Sequence, residues 1–224
     1  MKTIITTLLI LTLFSCTNSN EKNMSGKDTV IRSEKTVFDT ATLSKTAEML
    51  NEDKFWEIVD RSLKYRTDQE AQEKFLISEV GQLSPKEMIG FKLRTDKLLY
   101  DTYTSEMWCA AYIINGGCSD DGFEYFRCWL ISEGKDVYYK AKANPDDLIA
   151  EADDNSEYHE FESFWYVAVD AFKNKTGKDL YSYIDNEKFR TNEGSYPPIK
   201  FNWEEKKPES MKKICPRLYA RFSS

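Results

Sequence analysis

The sequence predicts an all-α fold, a single-domain multi-helix bundle that follows a signal peptide and a flexible tether. Three observations lead there. Capping residues of the Ser, Asn and Asp type recur ahead of apolar residues spaced three and four apart. No stretch of any length alternates apolar and polar residues with the period of two that a half-buried strand needs. Hydrophobic residues make up 41% of the chain and aromatic residues 14%, which supplies a core that a disordered chain would lack.

The chain opens with Lys2, then an apolar run from Ile4 to Phe14, then Ser15-Cys16 and an abrupt polar stretch. A positive start, a short apolar region and a small residue before the cut are the parts of a secretory signal. The run is shorter than the ~20 apolar residues that cross a bilayer. Leu13, Ser15 and Cys16 are similar to the bacterial lipobox, from which Phe14 departs in place of a small residue. That similarity implies a signal peptide over residues 1–15, cleavage after Ser15 and a lipid on the Cys16 sulfur. The protein would then sit in the cell envelope, anchored to a bacterial membrane on its periplasmic or outer-membrane side. Residues 16–50 carry few large apolar side chains before Val37 and read as the tether, with the helical domain over 51–224.

Asn51 is placed to cap a first helix carrying Phe55, Trp56, Val59 and Leu63, with Glu52 and Asp53 in its first turn. Thr67 to Glu70 reads as a capping box that opens a helix with Ala71, Phe75 and Val80 inward. Ser84 to Glu87 is a second box, with Pro85 where the first turn tolerates it and Ile89, Leu93 and Leu99 facing the core. Met107 to Ile114 is apolar on every side, the pattern of a buried central helix or, alternatively, a buried strand; Ala110 and Ala111 favour the helix. Asn115-Gly116-Gly117 breaks it. Ser119 caps the next helix through Ser132, which Gly134 stops, and a shorter helix ends near Asn144-Pro145. Glu157 to Lys175 reads as one long amphipathic helix with Phe161, Phe164, Trp165, Ala168 and Phe172 on a stripe. The last thirty residues look irregular around Tyr196-Pro197-Pro198, with a short helix from Pro216.

The net charge is −7. An acidic chain argues against a nucleic-acid partner, which asks for a basic face. The charge is uneven. Asn144 to Asp170 holds nine carboxylates and no Lys or Arg, whereas Lys200 to Ser224 holds seven basic residues against three acids. Either the basic tail docks on the acidic segment, or that segment is an electrostatic surface for a partner. Cys109, Cys118, Cys128 and Cys215 are too few for a disulfide scaffold, and they read as mostly buried thiols with room for one bridge. With no CxxC and a single histidine, His159, zinc is not indicated, and no motif calls for a cofactor.

The stretch WCAAYIINGGCSDDGFEYFRCWLISEGKDVYYKAKANPDDL, from Trp108 to Leu148, resembles the bacterial domain-of-unknown-function family numbered 4240. So do Asp53 to Trp56, the Trp165 helix and the Cys215-Pro216-Arg217-Leu218 end, so the resemblance spans roughly Asn51 to Phe222. Cys109 and Cys128 depart from the small residues typical there, and the lipobox is a departure too. The resemblance implies a helical fold of one domain and brings no reaction, substrate or catalytic residue.

The polar residues inside that string are Asn115, Asp120, Asp121, Glu124 and Arg127. On a helix starting after Ser119, Asp120, Glu124 and Arg127 fall at i, i+4 and i+7 and share a face, apart from the apolar stripe of Phe123, Phe126 and Leu130. A purely structural account suffices for them. Acids in a first turn gain ~0.3–1 kcal/mol each from the helix dipole, and Glu124 and Arg127 can pair. The functional account is a pocket in which Asn115 and Arg127 bind a polar ligand, or in which the carboxylates hold a hard cation or do acid–base work. A Cys118–His159 nucleophile pair is the weakest of these readings.

The sequence leads with a non-enzymatic binding module that recognises a protein or a small polar ligand. Two alternatives stay open: an envelope hydrolase or metal-dependent enzyme on Asp120, Asp121 and Glu124, and an immunity-type inhibitor that sets an acidic face against a basic toxin.

Overall fold

A computed structural model describes residues 43–154, 156, 158–190 and 196–223. Residues 1–15, expected to be a signal peptide, and Cys16, expected to carry the lipid, lie outside the described residues. The fold is all-α. Among the described residues there is no strand, only an isolated parallel bridge between Thr46 and Ile184.

Helix α1 (Glu52–Ser62) is capped by the Asn51 side chain, which accepts the Lys54 N–H at 3.1 Å. It buries Phe55, Trp56, Ile58 and Val59; Leu63 falls in a following 3₁₀ turn and is half-buried. Helix α2 (Gln69–Val80) is capped by Asp68, not by Thr67. Packed against α1 and α7, it buries Gln72, Leu76 and Val80, while Ala71 and Phe75 are only half-buried. Gln72 is tolerated in the core because its amide donates to Ser62 Oγ and to the Ser132 carbonyl, both at 3.0 Å.

Helix α3 (Pro85–Asp101) has the expected capping box, and Ile89, Leu93 and Leu99 are fully buried. It runs against α7 (Val167–Thr176) on one side and α1 and α5 (Asp120–Ser132) on another. Helix α4 (Ser105–Ile114) is the apolar central helix, capped by Thr104. Its end turns through Gly116 and Gly117, both at positive φ, with the Gly117 N–H donating to the Tyr112 carbonyl at 2.9 Å. Ser119 caps α5 as expected, and α6 (Lys135–Ala143) follows the turn at Gly134.

The long helix expected over 157–175 is shorter. Residue 157 is outside the described residues, and the ordered helix is a 3₁₀ stretch, Glu162–Tyr166, running into α7. The reason is tertiary: the Phe161 N–H donates to the Tyr125 carbonyl of α5 at 3.0 Å, so the chain ahead of it follows α5 instead of coiling. Phe161, Phe164, Ala168 and Phe172 still face the core. Toward the end, α8 (Pro208–Ile214) was not foreseen, and α9 (Pro216–Phe222) starts where expected.

Two further features organise the body. Residues 43–50, assigned above to the tether, run extended along it: Thr46 N–H donates to the Tyr183 carbonyl and Leu50 N–H to the Gly90 carbonyl, at 3.0 and 2.9 Å. The uneven charge closes on itself. Arg217 pairs with Asp146 and Asp147, and Arg221 with Asp154. Asp146 is 4% exposed, and one of its oxygens accepts the Arg217 and Leu218 N–H groups at 3.0 and 2.9 Å, which caps α9 from a distant segment. The basic tail thus docks on the acidic segment. The four described cysteines are free thiols, and Cys109, Cys128 and Cys215 are buried.

Candidate functional site

Helix α5 carries four of the five candidate residues, Asp120, Asp121, Glu124 and Arg127, and contributes to two clefts, one toward each end. The first cleft, of about 510 Å³, lies at the N-terminal half. Asp120 and Asp121 stand exposed at its rim in the first turn of α5, and Glu124 lies one turn deeper, 9% exposed. Aromatic side chains form the walls: Tyr103, Trp108, Tyr125, Trp165, Tyr166, Tyr181 and Tyr196. No Lys or Arg is among the described residues that line it.

The site is built on Arg127. Its guanidinium is fully buried, donating Nε to the Phe123 carbonyl at 3.2 Å, Nη1 to the Leu99 carbonyl at 2.6 Å and Nη2 to Glu124. Three rings surround it, those of Phe123, Tyr196 and Tyr103, at 4.5, 4.8 and 5.0 Å from the guanidinium carbon. Tyr196 stacks on Tyr103 at 4.2 Å, and its hydroxyl donates to the second Glu124 oxygen at 2.8 Å. Burial pushes the Tyr196 hydroxyl well above its ordinary range, which keeps it a donor. A second buried cation, Lys92, pairs with Asp96 and lies 5.4 Å from the Trp165 ring. Aromatic rings and cations are therefore interleaved beneath the cleft.

The structure brings Asp120, Asp121, Glu124 and Arg127 together, but it separates Asn115 from them. Asn115 ends α4, and its side-chain oxygen accepts the His159 backbone N–H at 2.9 Å. It thereby supports the second cleft, of about 420 Å³, formed by Arg66, Gln69, Trp129, Glu133, Glu151, Asp153 and His159 among others. Cys118 and His159 do not pair. The Cys118 thiol donates toward the Ser119 carbonyl at 3.6 Å, and burial pushes it up to about 12, so it is no nucleophile at neutral pH. His159 Nε2 instead accepts the Asp153 N–H at 2.9 Å.

Chemically, each Glu124 oxygen accepts one hydrogen bond, from Arg127 and from Tyr196, which holds the carboxylate in place and favours its ionised form. Among the described residues, no three His, Cys, Asp or Glu side chains converge closely enough to hold a metal ion. No described helix is long and apolar enough to cross a membrane. The five tyrosines of the wall come from five separate segments, and nothing in their local spacing joins them. Glu133 was equally hidden, placed by sequence at the helix end before Gly134.

Residues 50–174 match the model of a family described as a protein of unknown function, DUF4240. The matched span holds all the carboxylates of the first cleft and Arg127, but not Tyr181 or Tyr196. No curated protein and no solved structure matches the chain.

Proposed function

From the premise that the chain belongs to the DUF4240 family, we propose that it is a binding module that takes a cationic group into the aromatic cleft beside Asp120, Asp121 and Glu124. The observation that carries this reading is the lining itself, three carboxylates and seven aromatic rings with no basic residue among the described ones. An ammonium or guanidinium gains twice there, from the carboxylate field and from the electron-rich ring faces, the latter worth ~0.5–2 kcal/mol per ring contact. The commitment of Glu124 to Arg127 and Tyr196 favours binding over the hydrolase alternative, which needs that carboxylate as an acid or base. An immunity-type role is a special case in which the cation belongs to a basic protein.

The same reading places the domain in the cell envelope, tethered through a lipid on Cys16. Its support is the Leu13-Phe14-Ser15-Cys16 sequence after a short apolar run. Intact-mass analysis of the natively expressed protein tests it: the chain should begin at Cys16 and carry the mass of the acyl groups.

Binding is tested on the full chain with tetramethylammonium and with an oligolysine peptide, read by tryptophan fluorescence. Saturable, salt-weakened binding that an Asp120→Asn, Asp121→Asn double variant loses is the expected result. Binding that is absent, or undiminished in the folded double variant, overturns the reading.

A further inference from the structure

We infer that Cys109 and Cys215 form a disulfide site, a covalent bridge between α4 and the corner that joins α8 to α9. Cys215 is that corner, the residue between Ile214 of α8 and Pro216 of α9. Helix α4 packs against both helices of this hairpin. Cys109 and Cys215 are both fully buried. The two thiols are in hydrogen-bond contact, and Glu106, one turn before Cys109 on the same face of α4, also lies near enough to act on Cys215. One face of α4 thus meets the corner at two successive positions. Cys118 and Cys128 have carboxylates as ionisable neighbours instead, Glu160 and Glu124. Of the pairings open to four cysteines, the fold selects one bridge and leaves Cys118 and Cys128 as thiols.

Closing the bridge removes two electrons and two protons, and a disulfide, R–S–S–R, is the oxidant that takes them. The Cys215 thiolate attacks one sulfur of R–S–S–R and releases R–S⁻. The Cys109 thiolate then displaces the second R–S⁻ from that mixed disulfide, and the protons from the two cysteines convert both leaving groups to R–SH. With the hairpin seated this sequence does not begin. The hydrogen bond to Cys109 and burial push the Cys215 thiol far above its ordinary range, and the thiol is not the nucleophile. Exchange therefore belongs to folding, or to local opening, while residues 208–222 are off the body. Seating the hairpin then brings Cys215 to Cys109 and shields the finished bond. A chain exported as the Cys16 reading requires meets such oxidants as it folds. The pairing itself rests on neither that reading nor the cation reading of the first cleft. Its consequence is mechanical: the last two helices become tied to the central one, and the long loop closed between positions 109 and 215 restricts the unfolded chain.

The test refolds the full chain from urea in a buffer of reduced and oxidised glutathione, quenches it with acid, alkylates the remaining thiols and maps the peptides by mass spectrometry. The product should be lighter than the reduced chain by two hydrogens. Fragment spectra should join Cys109 to Cys215, with Cys118 and Cys128 alkylated. The oxidised chain should melt above the reduced one, and amide exchange over 208–222 should slow about tenfold or more. Cys118→Ser should keep both effects, and Cys109→Ala should abolish them while leaving the far-UV circular dichroism unchanged. Should the chain not regain that spectrum on refolding, native chain is held with oxidised glutathione in urea below its unfolding midpoint and mapped in the same way. Cysteines 109 and 215 both alkylated, or a bridge that engages Cys118 or Cys128 in their place, overturns the inference.

Discussion

Arg127 and Glu124, one turn apart on α5, form an ion pair whose cation is wholly enclosed while its carboxylate reaches the floor of the cleft. The guanidinium also satisfies the Leu99 and Phe123 carbonyls, so it joins α3 to α5 as well as positioning the carboxylate. A buried pair of this kind is weak evidence of net stability, because removing two charges from water offsets much of their attraction. Breaking it is another matter. Arg127→Met should cost ~3–5 kcal/mol, since it leaves the buried Glu124 carboxylate without its counter-ion. Glu124→Gln should cost only ~1–3 kcal/mol, because an amide oxygen still accepts from Arg127 or Tyr196. The double variant should cost less than the sum of the two singles. Urea denaturation checks this, and a cost for Arg127→Met below that of Glu124→Gln contradicts the enclosure of the guanidinium.

This pair also marks how far the sequence could be read. The i, i+3 spacing, the Ser119 cap and the shared face of Asp120, Glu124 and Arg127 are local and follow from helix geometry. The apolar run of α4 could only be a buried element. What stayed hidden is tertiary. Asn115 and Arg127 read as joint ligands of one pocket, yet the backbone turns at Gly116 and Gly117 and Asn115 meets the His159 N–H instead. The inward stripe of α2 runs through Gln72 and Leu76, one residue on from Ala71 and Phe75 and so rotated by about a quarter of a turn, because the helix packs on α1 and α7. The Phe161–Tyr125 hydrogen bond that delays α7 links residues with no sequence signal between them.

Asp146 predicts the behaviour of the C-terminal hairpin. Its carboxylate accepts two N–H groups at the start of α9 and the Arg217 side chain, from a position 4% exposed. Asp146→Ala leaves those N–H groups unpaired and should cost ~1–3 kcal/mol. The loss should be local. Amide exchange over 208–222 is expected to speed up well before that of α3 or α5, and trypsin should gain access at Lys212 and Lys213. Uniform acceleration across the chain would mean that the hairpin does not open as a unit.

Acid should weaken the start of α3. Glu87 receives the Lys54 ammonium at 2.6 Å, the Ser84 hydroxyl at 2.7 Å and the Ser84 N–H at 3.0 Å. The Lys54 and Ser84 hydrogen bonds hold its carboxyl down at about 2, against an ordinary 4.5. A depressed carboxylate contributes stability that is fully present above the unfolded value and is lost as pH falls through the folded one. Glu87→Gln should therefore flatten the decline in stability between pH 4.5 and about 2 while changing less at neutral pH. Thermal melts of both proteins across that window test it, and parallel pH profiles would remove Glu87 as the source. His159 adds the same sign at higher pH: with its pKa lowered from 6.5, its contribution is present above that value and falls away below it.

Gly90 gives the sharpest packing test. A glycine inside a seventeen-residue helix is ordinarily a loss of ~1 kcal/mol against alanine, so on propensity alone Gly90→Ala should stabilise α3. The tertiary structure reverses that expectation. A Cβ at this position would come within 2.7 Å of the Leu50 backbone nitrogen, 3.1 Å of the Glu48 carbonyl oxygen and 3.2 Å of the Leu50 Cα. All three atoms are backbone and none can swing aside, so residues 43–50 would have to lift from α3 and the Leu50–Gly90 hydrogen bond would stretch or break. Overpacking of this sort costs ~1–3 kcal/mol, enough to outweigh the helix gain. Gly90→Ala is expected to lower the melting temperature and to expose the amides of Thr46 and Leu50 to exchange. An alanine variant as stable as the wild type, with those amides still protected, would show that the segment does not press on α3 as closely as these distances require.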